Sequence, residues 1–174
     1  MQTFTASAPW PPGLDAAVAF ATHWHGDQRR PAGEPYVEHL REATAFLAYG
    51  AEVTTHPVLT AAVLHDVVED TPCELSMVRA EFGDEVATLV DWVTKSDDRE
   101  AYLTRLRSAP ADALLVKLAD RASNVQRLDT HPRPEKQRTY YAETVRWIVP
   151  LANAHPWFRD WYASWQQNFA HLGA

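Results

Sequence analysis

The chemistry of this chain concentrates in Leu64-His65-Asp66-Val67-Val68-Glu69-Asp70-Thr71, where one imidazole and three carboxylates fall close together in an expected helix. The run Ala61-Ala62-Val63-Leu64 before it is apolar and helix-forming, so His65 and Asp66 are expected at the end of a buried helix. Glu69 and Asp70 follow one turn on, each four residues from one of them, which puts two ligand types and two candidate bases on one face.

An adjacent His-Asp pair is, by itself, also what a satisfied core pair looks like. Two other segments change that reading: Pro35-Tyr36-Val37-Glu38-His39 upstream, and Val116-Lys117-Leu118-Ala119-Asp120-Arg121-Ala122-Ser123-Asn124 downstream. His39, His65, Asp66 and Asp120 then come from three separate helices. Two imidazoles and two carboxylates form a borderline-hard set that suits Mn²⁺, Fe²⁺ or a similar ion with open positions for water and substrate. A closed structural zinc site is usually richer in thiolates.

On these residues the chain resembles the HD phosphohydrolase superfamily. The words around them, GEPYVEHL at Gly33 to Leu40, LHDVVEDT at Leu64 to Thr71, WVTK at Trp92 to Lys95 and VKLADRASNV at Val116 to Val125, resemble its RelA/SpoT branch. The resemblance runs from Leu14 to at least Leu128. It implies a stand-alone small alarmone hydrolase that removes the 3′-diphosphate from (p)ppGpp or a relative such as ppApp. It also implies that His39, His65, Asp66 and Asp120 hold Mn²⁺ or another divalent transition ion, that Glu69 and Asp70 take a proton from water, and that Arg30, Lys95 and Asn124 contact the nucleotide. Each has a plainer alternative: a solvated acidic loop for Glu69 and Asp70, a helix-end lysine facing the dipole for Lys95, a helix-terminal cap for Asn124. Lys117 fits a phosphate contact or a surface lysine equally and stays outside the site set. The chain departs from the family pattern at Pro31 and Ala32, where a Lys and a small polar residue are common, at Ala122-Ser123, which replaces a bulkier pair, and at Trp92, which replaces a Gly.

The elements that must position these groups are marked off by proline, with helical rather than alternating apolar spacing between the marks. Helices are expected near Leu14 to His25, Pro35 to Tyr49, Pro57 to Val67, Glu74 to Phe82, Asp84 to Thr94, Arg99 to Arg107, Ala111 to Asn124, Pro134 to Val149 and Pro156 to Leu172. Pro35, Pro57, Pro134 and Pro156 each suit a first turn, whereas Pro150 should end or kink the helix before it. No segment reads as a sheet, and the fold class is all-α, an irregular helical bundle. Trp157, Trp161 and Trp165, with Phe158, Tyr162 and Phe169 alongside, read as a stripe that docks the last helix on the core; a base-stacking lid is the alternative. Any apolar excess there would serve self-association into a dimer. His23, His25, His56, His131, His155 and His171 are read as surface or capping residues rather than ligands.

The 174 residues, 46% of them hydrophobic, are enough for one domain over 1–174, with 1–13 expected to be a flexible lead. A formal charge of −7 argues against a nucleic-acid partner and leaves room for a small nucleotide held by a cation and a few local basic residues. One cysteine, Cys73, fits a reducing, cytoplasmic setting, and no signal peptide or membrane span is expected. Two other readings stand beside the alarmone hydrolase. One is a phosphomonoesterase acting on a nucleotide monophosphate or the 2′-phosphate of NADPH; the other is a degenerate domain that senses nucleotide without turnover.

Overall fold

The computed structural model describes residues 1–173. The helices follow the proline marks: α1 (Asp15–His25), α2 (Val37–Ala45), α3 (His56–Leu64), α4 (Val67–Asp70), α5 (Leu75–Val93), α6 (Arg99–Arg105), α7 (Ala111–Val125), α8 (Pro134–Glu143) and α9 (Pro156–Asn168). Among the described residues the one β feature is an isolated antiparallel bridge between Arg29 and Pro35, so the all-α expectation holds. Pro57, Pro134 and Pro156 occupy first turns. Pro35 does not: it pairs in that bridge, and α2 starts two residues later, because Tyr36 N–H is turned back onto the Gln28 carbonyl at 2.9 Å.

Two helices are buried nearly all round and form the centre. α3 buries every residue from Val58 to Leu64, and α7 buries Val116 to Ser123. Alanines at the contact, Ala61 and Ala62 on α3 and Ala119 and Ala122 on α7, have no exposed surface, which lets the backbones come close. α2 and α5 pack on the same pair. The helix written as α5 is broken at Gly83 (φ 85°, ψ 174°), where the sequence placed the gap between two helices. α2 widens into a π-helical turn at Phe46–Gly50, and Gly50 is required there: a Cβ on it would stand 2.5 Å from the Trp157 ring. The helix ahead of Pro150 likewise passes through a π-helical turn at Thr144–Ile148 and then a 3₁₀ segment at Val149–Ala154.

The aromatic stripe is core. Phe158, Tyr162 and Trp165 have no exposed surface, and α9 is bolted to α7 by Tyr162 Oη donating to the Leu118 carbonyl at 2.7 Å and Trp165 Nε1 to the Val125 carbonyl at 2.9 Å. The Val125 carbonyl is one of the last four of α7 and lacks an intrahelical donor, so the indole fills a real vacancy. Among the described residues the exposed large apolar side chains are Met1, Tyr49 and Met77, none of them on the stripe. Trp165→Ala should therefore lower stability by about 3–5 kcal/mol in urea unfolding. A loss below about 1 kcal/mol, the range of surface substitutions, would mean that the stripe serves something other than packing.

The lead 1–13, expected to be flexible, is anchored. Phe4 is buried and meets Phe46 edge-on at 4.9 Å, its N–H donates to Gln126 Oε1 at 2.9 Å, and Trp161 Nε1 donates to the Gln2 carbonyl at 2.6 Å. Apolar burial of one ring plus these two backbone hydrogen bonds outweighs the freedom of a short segment. Among the described residues no helix is long and apolar enough to cross a membrane.

Candidate metal centre and active site

The helix carrying His65 does not run on to Val67 as expected. α3 stops at Leu64, Asp66 sits at φ −101°, ψ −4°, and α4 restarts at Val67. That bridge conformation is sparsely used and recurs at active sites, because it turns neighbouring side chains to one side. Here it aims His65 and Asp66 together at His39 of α2 and Asp120 of α7. His65 Nε2 lies 3.0 Å from Asp66 Oδ2 and 3.5 Å from Asp120 Oδ1; His39 Nε2 is 3.3 Å from each carboxylate. One ligand atom from each of the four buried residues lies within 4.8 Å of all the others.

The hydrogen-bond partners suit the centre to a cation. His65 Nδ1 is 2.8 Å from the Ala62 carbonyl, which can only accept, so Nδ1 carries a hydrogen and the neutral ring has its lone pair at Nε2. The two Nε2 atoms then face each other at 3.1 Å, an arrangement that a positive charge between them relieves. The carboxylates make the same demand. Burial pushes Asp66 and Asp120 up, yet both are held well below the usual carboxylate range, Asp66 by His65 and His39 and Asp120 by Lys117 and the same imidazoles. Burial pushes His65 down, and the two carboxylates lift it well above its ordinary value. With both imidazoles neutral, two carboxylates against one buried ammonium leave an excess negative charge, which a proton on His65 meets and a divalent ion would meet in its place; two imidazole nitrogens with two carboxylate oxygens fit such an ion.

Around this cluster the expected site residues are brought together, though each already holds a partner. Asp70 Oδ2 is 2.7 Å from Tyr36 Oη, which is also 2.6 Å from Asp66 Oδ2. Burial, with the charges of Asp66 and Glu69, lifts Asp70 above the usual range despite the phenol. Glu69 Oε2 accepts the Lys95 N–H at 3.0 Å, and its other oxygen pairs with the Lys95 ammonium. Asn124 lies inside α7 rather than capping it, and donates to Asp120 Oδ1 at 2.7 Å. Arg30 donates to Glu42 Oε2 at 2.9 Å.

Four groups left outside the expected site set lie at or beside the cluster. Tyr36 sits in the GEPYVEHL word three residues before His39, and burial with the Asp66 charge raises its pKa, so it remains a phenol donor. His25, read as a surface residue, is buried with its ring stacked on Tyr36 at 4.6 Å; burial lowers its pKa, and its Nε2 has no partner. Lys117 is buried and donates to Asp120 Oδ2 at 2.7 Å. Glu42 is 2% exposed and gathers Arg30, Arg127 and Ser123. His155, by contrast, caps α9 as expected.

Two hollows flank the cluster and share Asn124 and Tyr140 as a partition. A cavity of about 240 Å³ reaches His39 and is walled by Arg30, Pro31, Ala32, Arg127, Leu128 and His131. A smaller one of about 90 Å³ reaches Asp120 and is walled by Lys95, Arg99, Lys117 and Arg121. The arrangement can hold a cation, an anion beside it, and a flat polar molecule on the far side.

An all-α bundle with a buried pair of histidines and a pair of aspartates at its centre defines a helical protein whose centre is suited to a divalent ion. The sequence comparisons narrow the class: the HD domain family matches residues 17–157, and the chain belongs to that family. It is 38% identical over 151 residues to a probable GTP pyrophosphokinase of Mycobacterium leprae, across 80% of this chain and 19% of that one. It is 35% identical over 150 residues to a guanosine-3′,5′-bis(diphosphate) 3′-pyrophosphohydrolase of Aquifex aeolicus, across 80% and 21%. The chain thus spans about a fifth of the length of these curated relatives. A solved structure of a metazoan SpoT orthologue, described as hydrolysing ppGpp, superposes with a TM-score of 0.83 at 27% identity, covering 92% of this chain and 98% of that one.

Proposed function

We propose that this chain is a metal-dependent hydrolase that removes the 3′-diphosphate from (p)ppGpp or a related alarmone such as ppApp, releasing pyrophosphate. The observation that carries the reading is the basic hollow beside Asp120, where Lys95, Arg99, Lys117 and Arg121 meet. A phosphomonoester needs one anion position, at the cation itself. A diphosphate needs a second one touching the first; Lys95 and Lys117 are matched by Glu69 and Asp120, but Arg99 and Arg121 share the single carboxylate of Glu143, and the positive charge left over at the hollow suits it. The larger cavity at His39 suits the nucleoside. The activities for which the Aquifex relative and the metazoan orthologue are named agree with this assignment.

Held by His39, His65, Asp66 and Asp120, the ion, Mn²⁺ in this proposal, would supply an acidified water and a Lewis-acid contact to a phosphate oxygen. The remaining work falls to the chain. Asp70, lifted above the usual carboxylate range by burial and steadied by the Tyr36 phenol, accepts the proton from water. Glu69, clamped by Lys95, orients that water and keeps the Lys95 ammonium at the edge of the basic hollow. Asn124 holds Asp120 in its ligating position. With Mn²⁺ added, ppGpp and ppApp should yield pyrophosphate while NADPH and nucleoside monophosphates stay intact. Orthophosphate from NADPH or a monophosphate, with no pyrophosphate from either alarmone, would assign the site to a phosphomonoesterase.

Base preference is expected to be weak. Pro31 and Ala32 present no side-chain donor or acceptor to the larger cavity, and the Arg30 guanidinium is engaged by Glu42. A site rejects the wrong base strongly only when its buried polar groups are left unpaired by it. The ratio of kcat/KM for ppGpp over ppApp should stay within about a thousandfold, and Pro31→Lys should tighten both substrates more than it changes the ratio. A larger preference would mean that other residues read the base.

A further inference from the structure

We propose that Ser123 and Glu42 form a relay that sets the tautomer and direction of the His39 ring, which makes both of them positioning residues for the metal; the inference rests on the metal centre proposed above. Glu42 lies one helical turn beyond His39 on α2, and Ser123 one turn beyond Asp120 on α7, so the relay ties the two helices together at two ligands. Glu42 accepts from Arg127 at 2.6 Å, Arg30 at 2.9 Å and Ser123 Oγ at 2.7 Å. Burial opposes its charge, but Arg127, Arg30 and the hydroxyl together hold it below its ordinary value, as a carboxylate. A carboxylate only accepts, so the single proton of the Ser123 hydroxyl is spent on Glu42. Toward His39 Nδ1, 2.9 Å away, Ser123 Oγ then offers only lone pairs, and Nδ1 must be the donor. A neutral imidazole with its hydrogen on Nδ1 presents a lone pair at Nε2, the atom that faces His65, Asp66 and Asp120.

His65 reaches the same state through the Ala62 backbone carbonyl, which no substitution removes. His39 depends on two replaceable side chains 81 residues apart in the chain. Their carboxylate end also gathers Arg30 and Arg127, which line the larger cavity, so the orientation of His39 is anchored in the wall of that cavity. Groups that hold the far nitrogen of a ligating histidine fix its ring and raise its basicity, and losing them typically weakens metal affinity about 10–100-fold.

The test is metal affinity, read without turnover. Metal-stripped protein is titrated with Co²⁺ against a chromophoric chelator, and the visible Co²⁺ spectrum reports the ligand geometry. Ser123→Ala should bind about 10–100-fold more weakly with an altered spectrum. Ser123→Thr, which keeps the hydroxyl, should recover most of the affinity. The double variant with Glu42→Gln should bind no more weakly than Ser123→Ala alone, because the path is already cut. Wild-type affinity and spectrum in Ser123→Ala, with or without a loss of thermal stability, overturns the relay and leaves the metal centre standing. Additive losses in the double variant also overturn it. Wild-type protein that takes up no Co²⁺ overturns the metal centre, and the relay with it. If Glu42→Gln does not fold, the Ser123→Ala and Ser123→Thr pair decides alone.

Discussion

Asp66→Ala should give a folded protein that binds no divalent transition ion and turns over no substrate. Asp66 Oδ2 is the oxygen nearest His65 Nε2, at 3.0 Å, and it lies 3.3 Å from His39 Nε2. Its charge also decides the electrostatics of the cluster. With Asp66 present, two carboxylates face one ammonium; without it, Asp120 is matched by Lys117 at 2.7 Å and nothing is left to attract a cation. Three remaining donors in an electrically balanced pocket bind far more weakly than four with an uncompensated charge. Elemental analysis after dialysis is the check: equal metal in wild type and variant would remove the cluster from consideration as a metal centre.

Glu69→Gln and Asp70→Asn should instead retain the metal and lower turnover by at least about a hundredfold, the usual loss when a general base goes and the Lewis acid stays. Neither carboxylate is among the converging ligand atoms, so metal content should not change. Asn at 70 can still meet the Tyr36 phenol but cannot take a proton, and Gln at 69 can still accept the Lys95 N–H but no longer pairs with its ammonium. Metal content and kcat measured on the same samples separate the two roles. Near-normal turnover in both single variants and in the double would return the pair to a solvated acidic loop.

The sequence was most legible where a local rule decides. Gly83 marked the break in α5, Pro150 the end of the helix before it, and the spacing of Trp161 and Trp165 the face that α9 buries. It was least legible where burial depends on distant partners. Glu42 looks like any solvated helix carboxylate until α7 docks and brings Arg127 from 85 residues away. Helical spacing put His23 and His25 on different sides of α1, but the ring that covers His25 belongs to Tyr36, in the turn leading into α2. Spacing placed Lys117 near the face of Asp120 without telling an exposed lysine from a buried one. The interruption at His65 and Asp66 has no local signal, since Leu64, His65, Asp66 and Val67 all tolerate a helix; the turn is set by what their side chains meet.

The docked lead also imposes an order of assembly. The four residues of the His-Asp cluster lie between positions 39 and 120, whereas the contact of Gln2 with Trp161 spans 159 residues of chain. The entropy of closing a loop grows with the logarithm of its length, and non-local contacts are rewarded only after that entropy is spent. As the chain emerges from a ribosome, the helices of the cluster can pair early, but Phe4 and Phe46 must wait for the aromatic face of α9 to cover them. Until then the nascent domain presents an uncovered aromatic floor, the kind of surface that chaperones bind and that aggregation exploits. A chain cut short before α9 would keep the residues of the cluster and lose its solubility.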